Sequence, residues 1–308
     1  MAVAALLVDR FRADLGALTG PAPGRLGLAV SGGPDSLALL LLAHAAFPDA
    51  IAAATVDHAL RPESAAEARF VAAICVDLGV PHVILTADEA IAGNLQAGAR
   101  ALRYRLLGAW AAHEGLAWLV TAHHQDDQAE TLLMRLNRGA GLAGLAGVRA
   151  HTEINGLQVI RPLLGWSRAE LARIAAPLGP VADPSNSDPR YDRARLRESL
   201  AGAGWLDAAA FARSAQALAQ AEAALDWAAE RLIAERVADC TFDPAGVPAE
   251  LRRRVILKLL DAPELPRGPN LQRLLATLEA GGTATLAGVK WTGGARWTFA
   301  PAPPRRRG

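Results

Sequence analysis

One short segment near the N-terminus constrains the fold more than any other: an apolar run, a turn of small residues and a second apolar run. Residues Leu26–Val30 have no polar side chain, residues 31–36 read Ser-Gly-Gly-Pro-Asp-Ser, and residues 37–42 are Leu-Ala-Leu-Leu-Leu-Leu. This succession is typical of a buried strand that turns directly into a helix. Glycine lets a ligand approach the main chain closely, and the free N–H groups at a helix start attract negative charge. The segment therefore predicts a phosphate-binding strand–turn–helix unit.

The spacing within the turn excludes two common nucleotide-binding loops. A Walker A loop needs Gly-x-x-x-x-Gly-Lys-Ser/Thr, and this turn has no lysine. The dinucleotide-binding pattern Gly-x-Gly-x-x-Gly does not occur here either. The order Ser-Gly-Gly-x-Asp-Ser instead resembles the pyrophosphate loop (PP-loop) of ATP pyrophosphatases, which split ATP into AMP and pyrophosphate. The resemblance assigns ATP binding to Ser31, Gly32, Gly33, Pro34, Asp35 and Ser36.

The composition predicts a soluble, cytoplasmic protein without a membrane segment. Hydrophobic residues make up 52% of the 308 residues, which is enough for a large core, and the length fits about two domains. The most apolar long run, Ser36–Asp57, is interrupted by polar residues and a proline before it reaches spanning length. The two cysteines, Cys75 and Cys240, belong to no Cys-x-x-Cys pair. Neither a disulfide framework nor a cysteine-held metal is therefore expected.

Short apolar runs alternate with helical patterns through the first two thirds of the chain. This alternation predicts an α/β fold in which a Rossmann-like parallel sheet is flanked by helices and binds ligands at the carboxyl ends of its strands. The strand candidates are Leu26–Val30, Ile51–Val56, His82–Thr86, Ala117–Thr121 and Leu157–Ile160. The helix candidates are Ser36–Ala46, Ser64–Leu78, Gly98–His113, Gln125–Asn137 and Ser167–Ala176.

The last third of the chain has a different pattern. Helices are predicted at Asp207–Val237, Pro248–Leu260 and Asn270–Ala280, with a hairpin across Thr285–Phe299. We therefore predict a PP-loop catalytic domain over residues 1–204, and a linker helix with a smaller, mostly helical domain over residues 205–300. Residues 301–308 are rich in proline and arginine and are predicted to form a disordered basic tail.

Charge is unevenly divided along the chain. The formal net charge is +1, but residues 1–150 carry −3 and residues 151–308 carry +4. Nearly all basic residues are arginines, since lysine occurs only at Lys258 and Lys290. Arginine suits phosphate and base edges, so this excess indicates either a polyanionic partner for the second half or an arginine-rich composition without a binding role.

Two groups of polar residues follow predicted strands near the phosphate-binding turn. Asp57 and His58 end the second strand, where an acidic residue takes a ribose hydroxyl or an adenine amino group. After the strand ending at Thr121, residues 122–131 read Ala-His-His-Gln-Asp-Asp-Gln-Ala-Glu-Thr. Acidic residues in a first helical turn suit the helix dipole, but paired histidines beside them indicate acid–base or cation-holding chemistry.

Three motifs taken together resemble the tRNA(Ile)-lysidine synthetases. They are the PP-loop, Val-Asp-His-x-Leu-Arg at residues 56–61, and His-His-x-Asp-Asp-Gln-x-Glu-Thr at residues 123–131. Further agreeing stretches are Ala99–Tyr104, Asn137–Gly139, Gly141–Gly147, Arg161–Leu164, Asp183–Asn186, Tyr191 and Arg193–Arg197. The chain departs from the family at Ala194, where the family usually has asparagine between two arginines. With one accessory domain, it is similar to the shorter family members.

This resemblance implies an ATP-dependent ligase. C2 of the wobble cytidine in a tRNA(Ile) with anticodon CAU would be adenylated, and the amino group of free L-lysine would then displace AMP. Pyrophosphate would leave from the PP-loop with help from Mg²⁺, because charge developing on phosphates needs preorganised donors and a cation.

The resemblance also implies roles for individual residues. The catalytic candidates are Asp35, Arg100, His123, His124, Asp127 and Glu130, and either histidine could take the proton of the attacking amine. Asp57 and His58 join the PP-loop in binding ATP, and Asp126, Asp127 and Glu130 form the lysine pocket. The tRNA contacts are Arg193, Arg195, Arg197, Arg252, Arg253 and Arg254. Metal ligands stay unassigned, and both a monomer and a homodimer remain open.

Two alternatives have to be weighed. A tRNA thiolation enzyme with an iron–sulfur cluster would need clustered cysteines, which Cys75 and Cys240 do not supply. A non-catalytic adenine-nucleotide-binding module would keep the PP-loop but would have no use for the histidine and carboxylate cluster. Lysidine synthesis is therefore favoured over both.

Overall fold

The computed structural model describes residues 3–58, 64–86, 95–180, 192–204, 206–260 and 269–303. Several motif residues lie outside these ranges, namely Leu60, Arg61, Asp183–Asn186, Tyr191 and the end of the proposed tail. The helices are α1 Ala5–Thr19, α2 Pro34–Ala46, α3 Ser64–Leu78, α4 Leu95–His113, α5 Gln125–Asn137, α6 Leu142–Leu145, α7 Arg168–Ala175, α8 Asp192–Gly202, α9 Ala208–Arg236, α10 Ala249–Leu260 and α11 Pro269–Glu279. The strands are β1 Leu26–Ala29, β2 Ile51–Asp57, β3 His82–Thr86, β4 Trp118–Val120, β5 His151–Ile154, β6 Leu157–Ile160, β7 Val237–Ala238, β8 Thr241–Phe242, β9 Thr283–Leu286, β10 Val289–Thr292 and β11 Trp297–Pro301.

The predicted parallel sheet is confirmed. Its strand order is β3-β2-β1-β4-β6-β5, and every pair is parallel except the edge hairpin of β5 and β6. The strand order changes direction at β1. From β1 the chain adds β2 and β3 on one side, and it then adds β4 on the other side of β1. In a doubly wound sheet, the crevice at such a switch point is the usual ligand site. The PP-loop after β1 and the histidines after β4 both lie at this point.

Helices cover the two faces of the sheet with separate hydrophobic clusters. On one face, α1, α2 and α7 pack on β1, and the leucines of α2 are fully buried because the helix lies between its neighbours and the sheet. On the other face, Leu107 and Trp110 of α4 pack on the small side chains of β2 and on β4 and β6. This two-sided burial explains why the strands read as continuous apolar runs rather than as alternating patterns.

The chain divides into two compact units, Met1–Ala219 and Gln220–Gly308. The second unit holds an antiparallel sheet of order β7-β8-β11-β10-β9, and a cluster of aromatic and aliphatic side chains packs around Trp291, Trp297 and Phe242. The predicted hairpin corresponds to β9, β10 and β11, and the structure adds β7 and β8 to it. None of the described helices combines the length and apolar character needed to cross a membrane.

Candidate active site

The PP-loop is held by hydrogen bonds between its two serines and its own backbone. The Ser36 hydroxyl accepts the N–H of Ser31 at 3.1 Å and donates to the carbonyl of Gly33 at 3.0 Å. Gly32 has a φ of +87°, which other residues rarely adopt, and a Cβ there would meet Val71 Cγ2 at 3.3 Å. Gly33 is the N-cap of α2 and Pro34 is its first residue. The loop therefore presents backbone groups of a helix N-terminus at the carboxyl end of β1.

The turn after β4 brings both histidines to the same crevice. His124 is the N-cap of α5: its Nδ1 lies 3.2 Å from the backbone nitrogen of Asp126, and its own backbone N–H donates to the Asp127 carboxylate at 3.1 Å. A second capping box, at Ser167 and Glu170, begins α7 beside this turn. The two turns are joined because the Gln125 N–H donates to the Trp166 carbonyl at 2.9 Å.

His124 lies among three carboxylates. Its Nε2 is 3.3 Å from Asp35 Oδ2 and 3.6 Å from Asp127 Oδ2, and its Nδ1 is 3.5 Å from Asp126 Oδ2. Burial opposes a charge on this ring, but the hydrogen bonds to Asp126 and Asp35 and the charge of Asp127 outweigh burial and raise the pKa of His124 to about 9. The reciprocal hydrogen bond to His124 lowers the pKa of Asp126 to about 2. With this raised pKa, the imidazolium form of His124 is favoured at neutral pH.

His123 has the opposite electrostatic environment. Its Nδ1 hydrogen-bonds the Thr121 hydroxyl at 2.9 Å. Burial is the main reason why the pKa of His123 falls to about 4; the charge of Asp127 opposes the fall, while the nearby guanidinium groups of Arg161, Arg100 and Arg193 add to it. This lowered pKa favours a neutral ring at pH 7, whereas the raised pKa of His124 favours a charged one.

These two pKa values predict a pH dependence that can be measured directly. In long-range ¹H–¹⁵N spectra of histidine-labelled protein, we expect His124 to titrate near pH 9 and His123 near pH 4. Because the folded pKa of His124 lies above its ordinary value of 6.5, its contribution to stability is complete below pH 6.5 and disappears as the pH rises through about 9. Asp35→Asn should lower the pKa of His124. Titration of both rings near 6.5 would contradict the assignment.

Glu130 lies beneath a group of arginines. Its carboxylate is buried and receives two hydrogen bonds from Arg197, one from Nε and one from Nη2 at 3.1 Å. Arg168 Nη2 and Arg193 Nε lie 3.6 and 3.9 Å from the same carboxylate. Arg197 Nη2 also lies 4.0 Å from Asp127 Oδ1. Asp35, Asp127, Glu130 and Arg197 thus belong to one cluster.

The remaining residues predicted to bind ATP, Asp57 and His58, lie at the end of β2. Asp57 accepts the Ser64 hydroxyl at 2.6 Å, so part of its hydrogen-bonding capacity supports the start of α3. His58 Nε2 is 3.4 Å from Arg103 Nη2, and burial, together with the charge of Arg103, lowers the pKa of His58. Arg100 lies over the ring of Tyr104, with its Cζ 5.1 Å from the centroid.

The basic cluster of α10 corrects one sequence prediction. Arg254 is only 3% exposed, and its guanidinium binds Glu222 at 2.5 and 3.0 Å, Asp226 at 2.7 Å and Glu250 at 2.8 Å. The expected tRNA contact at Arg254 is therefore wrong, because a buried guanidinium surrounded by carboxylates does not meet an RNA phosphate. Arg253 pairs with Glu250 at 2.7 Å and Arg252 with Glu279 at 3.0 Å, both partly exposed, and their proposed tRNA contacts stay predictions.

Two residues of the site had no role in the sequence analysis. Arg161, at the end of β6, is 3% exposed and donates to the Arg149 carbonyl at 2.8 Å and to the Thr152 hydroxyl at 3.0 Å. Arg168 donates its backbone N–H to Asp126 at 3.0 Å and faces Glu130 with its side chain. The position of Arg161 after a strand, and the Ser-x-x-Glu capping box that contains Arg168, were available as signals in the sequence.

Comparisons with known proteins agree with this geometry. Residues 9–203 match the family model of the PP-loop domain. A tRNA(Ile)-lysidine synthase from Novosphingobium aromaticivorans is 51% identical, with 97% of this chain and 94% of that protein covered, and one from Zymomonas mobilis is 44% identical, with 95% and 93% covered. Among solved structures, the U34-tRNA thiolase NcsA from Methanococcus maripaludis has a TM-score of 0.55 at 17% identity, covering 70% of this chain and 79% of that one, which supports the fold alone. With this identity over nearly its whole length, the chain belongs to the tRNA(Ile)-lysidine synthase family of PP-loop proteins.

Proposed function

We propose that this chain is an ATP-dependent ligase that attaches L-lysine to C2 of the wobble cytidine of a tRNA(Ile) with anticodon CAU. The cytidine would first be adenylated, with release of pyrophosphate, and the amino group of lysine would then displace AMP. The observation that carries the proposal is the contact between Asp35 of the PP-loop and His124 of the family's histidine and aspartate motif, at 3.3 Å. This contact joins the residues proposed for phosphate and for lysine in one site.

The chemistry of the PP-loop suits ATP as substrate. Backbone groups at the start of α2 and the side chains of Ser31 and Ser36 form an anion-binding turn. Adenylation makes a bond from the cytidine O2 to the α-phosphorus of ATP and breaks the bond to pyrophosphate. Preorganised donors at the leaving group stabilise the charge that develops there. We therefore assign the leaving pyrophosphate to Ser31–Ser36.

Asp35 fits the requirements of a Mg²⁺ ligand. Its Oδ1 is buried and has no hydrogen-bond partner among the described residues, so one carboxylate oxygen is available. Mg²⁺ in nucleotide sites uses one or two carboxylates and completes its shell with phosphates and water. Asp35 would hold the ion, and Asp127 is the second candidate for a Mg²⁺ ligand. When bound, Mg²⁺ neutralises charge on the phosphates.

The electrostatics of the two histidines assign different roles to them. Transfer of lysine forms the bond from the amine nitrogen to C2, breaks the bond from C2 to the AMP oxygen, and releases a proton from the amine. A proton acceptor must be neutral beforehand, which His123 is and the imidazolium of His124 is not. We therefore propose His123 as the acceptor and His124 as the cation that holds Asp35, Asp126 and Asp127 together.

The carboxylates Asp127 and Glu130 suit the ammonium groups of lysine. Asp126 is a weaker candidate, because its Oδ2 is already used by the N–H of Arg168 and lies close to His124. Arg193 and Arg195 have exposed side chains on α8 and are proposed to meet the anticodon loop phosphates. The chain is expected to work in the cytoplasm, where a reducing environment fits two unpaired cysteines.

Pyrophosphate release tests the proposed reaction. Purified protein with ATP, Mg²⁺ and L-lysine is compared on a tRNA(Ile) transcript bearing CAU and on the same transcript with the wobble C changed to U. We expect release and incorporation of labelled lysine with the first transcript only. Release without lysine incorporation would indicate another nucleophile, such as sulfur or ammonia. No release at all would favour a non-catalytic nucleotide-binding module.

A further inference from the structure

The two carboxylates proposed for the substrate ammonium already face a cation of the protein. Both oxygens of Glu130 are hydrogen-bonded by Arg197, with Arg168 and Arg193 at 3.6 and 3.9 Å. Asp127 uses Oδ2 for the N–H of His124, and its Oδ1 lies 4.0 Å from Arg197. A lysine ammonium would therefore meet a guanidinium of the same charge at the carboxylates that are meant to bind it.

We propose that the guanidinium of Arg197 occupies the place at Glu130 and Asp127 that the substrate ammonium takes, and that a phosphate-bearing substrate must draw Arg197 away before lysine binds. This inference rests on the proposed function, because it takes lysine as the substrate of this pocket. It makes Arg197 an internal competitor of lysine and couples lysine binding to the presence of phosphate.

The way in which α8 is held allows such a displacement. The contacts with α5 seen on the described part of α8 include ion pairs and a hydrogen bond, and none of its described side chains belongs to the three hydrophobic clusters. Elements with few buried apolar contacts rearrange at low cost. The Arg197 side chain is 23% exposed, and Arg193 on the same face is 48% exposed. A phosphate that approaches this face can compete with Glu130, because guanidinium binds phosphate as readily as carboxylate.

Electrostatics provide the driving force for the exchange. Arg197 interacts electrostatically with Asp35 in the PP-loop as well as with Glu130 and Asp127. Bringing phosphate into the site adds negative charge on that side. The departing guanidinium leaves Glu130 and Asp127 with negative charge that a lysine ammonium compensates. The phosphate could belong to ATP or to tRNA, and the same chemistry applies to both.

Calorimetry of lysine binding tests the inference in the whole chain. Titrations of L-lysine are made on the unliganded protein, with α,β-methylene-ATP and Mg²⁺, and with the CAU transcript. For the wild-type chain we expect the lysine Kd to fall by about tenfold or more in at least one of the two phosphate arms, because a pocket that is mostly occupied binds weakly. The arm that produces the fall identifies the source of the phosphate.

Three variants separate competition from a merely structural contact. Arg197→Gln should bind lysine about tenfold more tightly than the wild type without phosphate and should gain little from adding it. Arg197→Lys keeps a cation in the pocket and should behave like the wild type. Arg173→Gln removes a guanidinium at an exposed position of α7 to which no role in the site is assigned; it is the matched control and should also match the wild type. Thermal melts confirm that each variant is folded.

The possible outcomes distinguish this inference from the proposed function. If neither phosphate-bearing ligand changes the lysine Kd of the wild type, the inference is overturned, even if no variant folds. An Arg197→Gln protein that binds lysine no better than the wild type would also overturn it, while leaving lysine as the substrate. If neither protein binds lysine in any arm, the proposed function fails together with the inference.

Discussion

Asp127→Asn is expected to lower lysine transfer into tRNA by about 10²- to 10³-fold while leaving the fold intact. The carboxylate of Asp127 lies 3.6 Å from the imidazolium of His124 and 4.0 Å from Arg197. Its negative charge therefore interacts with both cations of the site. The asparagine oxygen can still accept the N–H of His124, which preserves the cap of α5. Incorporation of labelled lysine into the CAU transcript measures the loss, and a thermal melt measures the fold.

A matched control separates the charge at this position from charge in general. Asp77→Asn removes a carboxylate from an exposed position near the end of α3 and should leave lysine transfer unchanged. Near-normal turnover by Asp127→Asn would remove Asp127 from the active site. A variant that melts well below the wild type would show that Asp127 acts mainly as a helix cap.

Arg254→Ala is expected to lower the free energy of unfolding of the second unit by about 3–5 kcal/mol. Its guanidinium compensates the buried carboxylate of Glu222, and the substitution removes this cation while leaving the carboxylate in place. The side chains of Asp226 and Glu250 are more exposed to solvent than that of Glu222. Their ion pairs with Arg254 therefore contribute less to the free energy of unfolding. Urea unfolding followed by the tryptophan fluorescence of this unit measures the change.

Arg253→Ala serves as the comparison, because Arg253 pairs with the same Glu250 but is 32% exposed at its side chain. Its expected cost is about 0–1 kcal/mol, as is usual for surface ion pairs. The two variants also test the corrected interpretation of α10 through tRNA affinity. If Arg254→Ala kept its stability and lost affinity for the transcript, the original interpretation of Arg254 as an RNA contact would be restored.

Much of the α/β unit could be predicted because its local patterns agree with its tertiary structure. Strands β3 and β6 and helices α3 and α5 have the predicted bounds, since each is a run of apolar or periodic residues between clear turn signals. The strand β5, His151–Ile154, was missed because it lies at the sheet edge and carries mostly polar side chains. The two-residue strands β7 and β8 are too short to have a periodicity at all.

The sequence by itself determined which chemical groups meet at the switch point. The PP-loop follows β1 and the histidine and aspartate motif follows β4, and parallel neighbouring strands end at the same edge of a sheet. This rule of topology needs only the order of elements. The order of elements alone therefore places Asp35, the two histidines and the acidic residues of α5 at the same edge of the sheet.

Only the tertiary structure decided what state each group is in. His123 and His124 are adjacent in sequence and chemically identical, yet burial lowers the pKa of the first while neighbouring carboxylates raise the pKa of the second. Arg197 and Arg254 look alike in the sequence, since each belongs to an arginine-rich stretch of a helix. In the structure, Arg197 binds Glu130 in the candidate site, whereas Arg254 is buried against Glu222. The pKa of a group and the partner of a charge depend on distance and burial in space, which residues far apart in the chain provide.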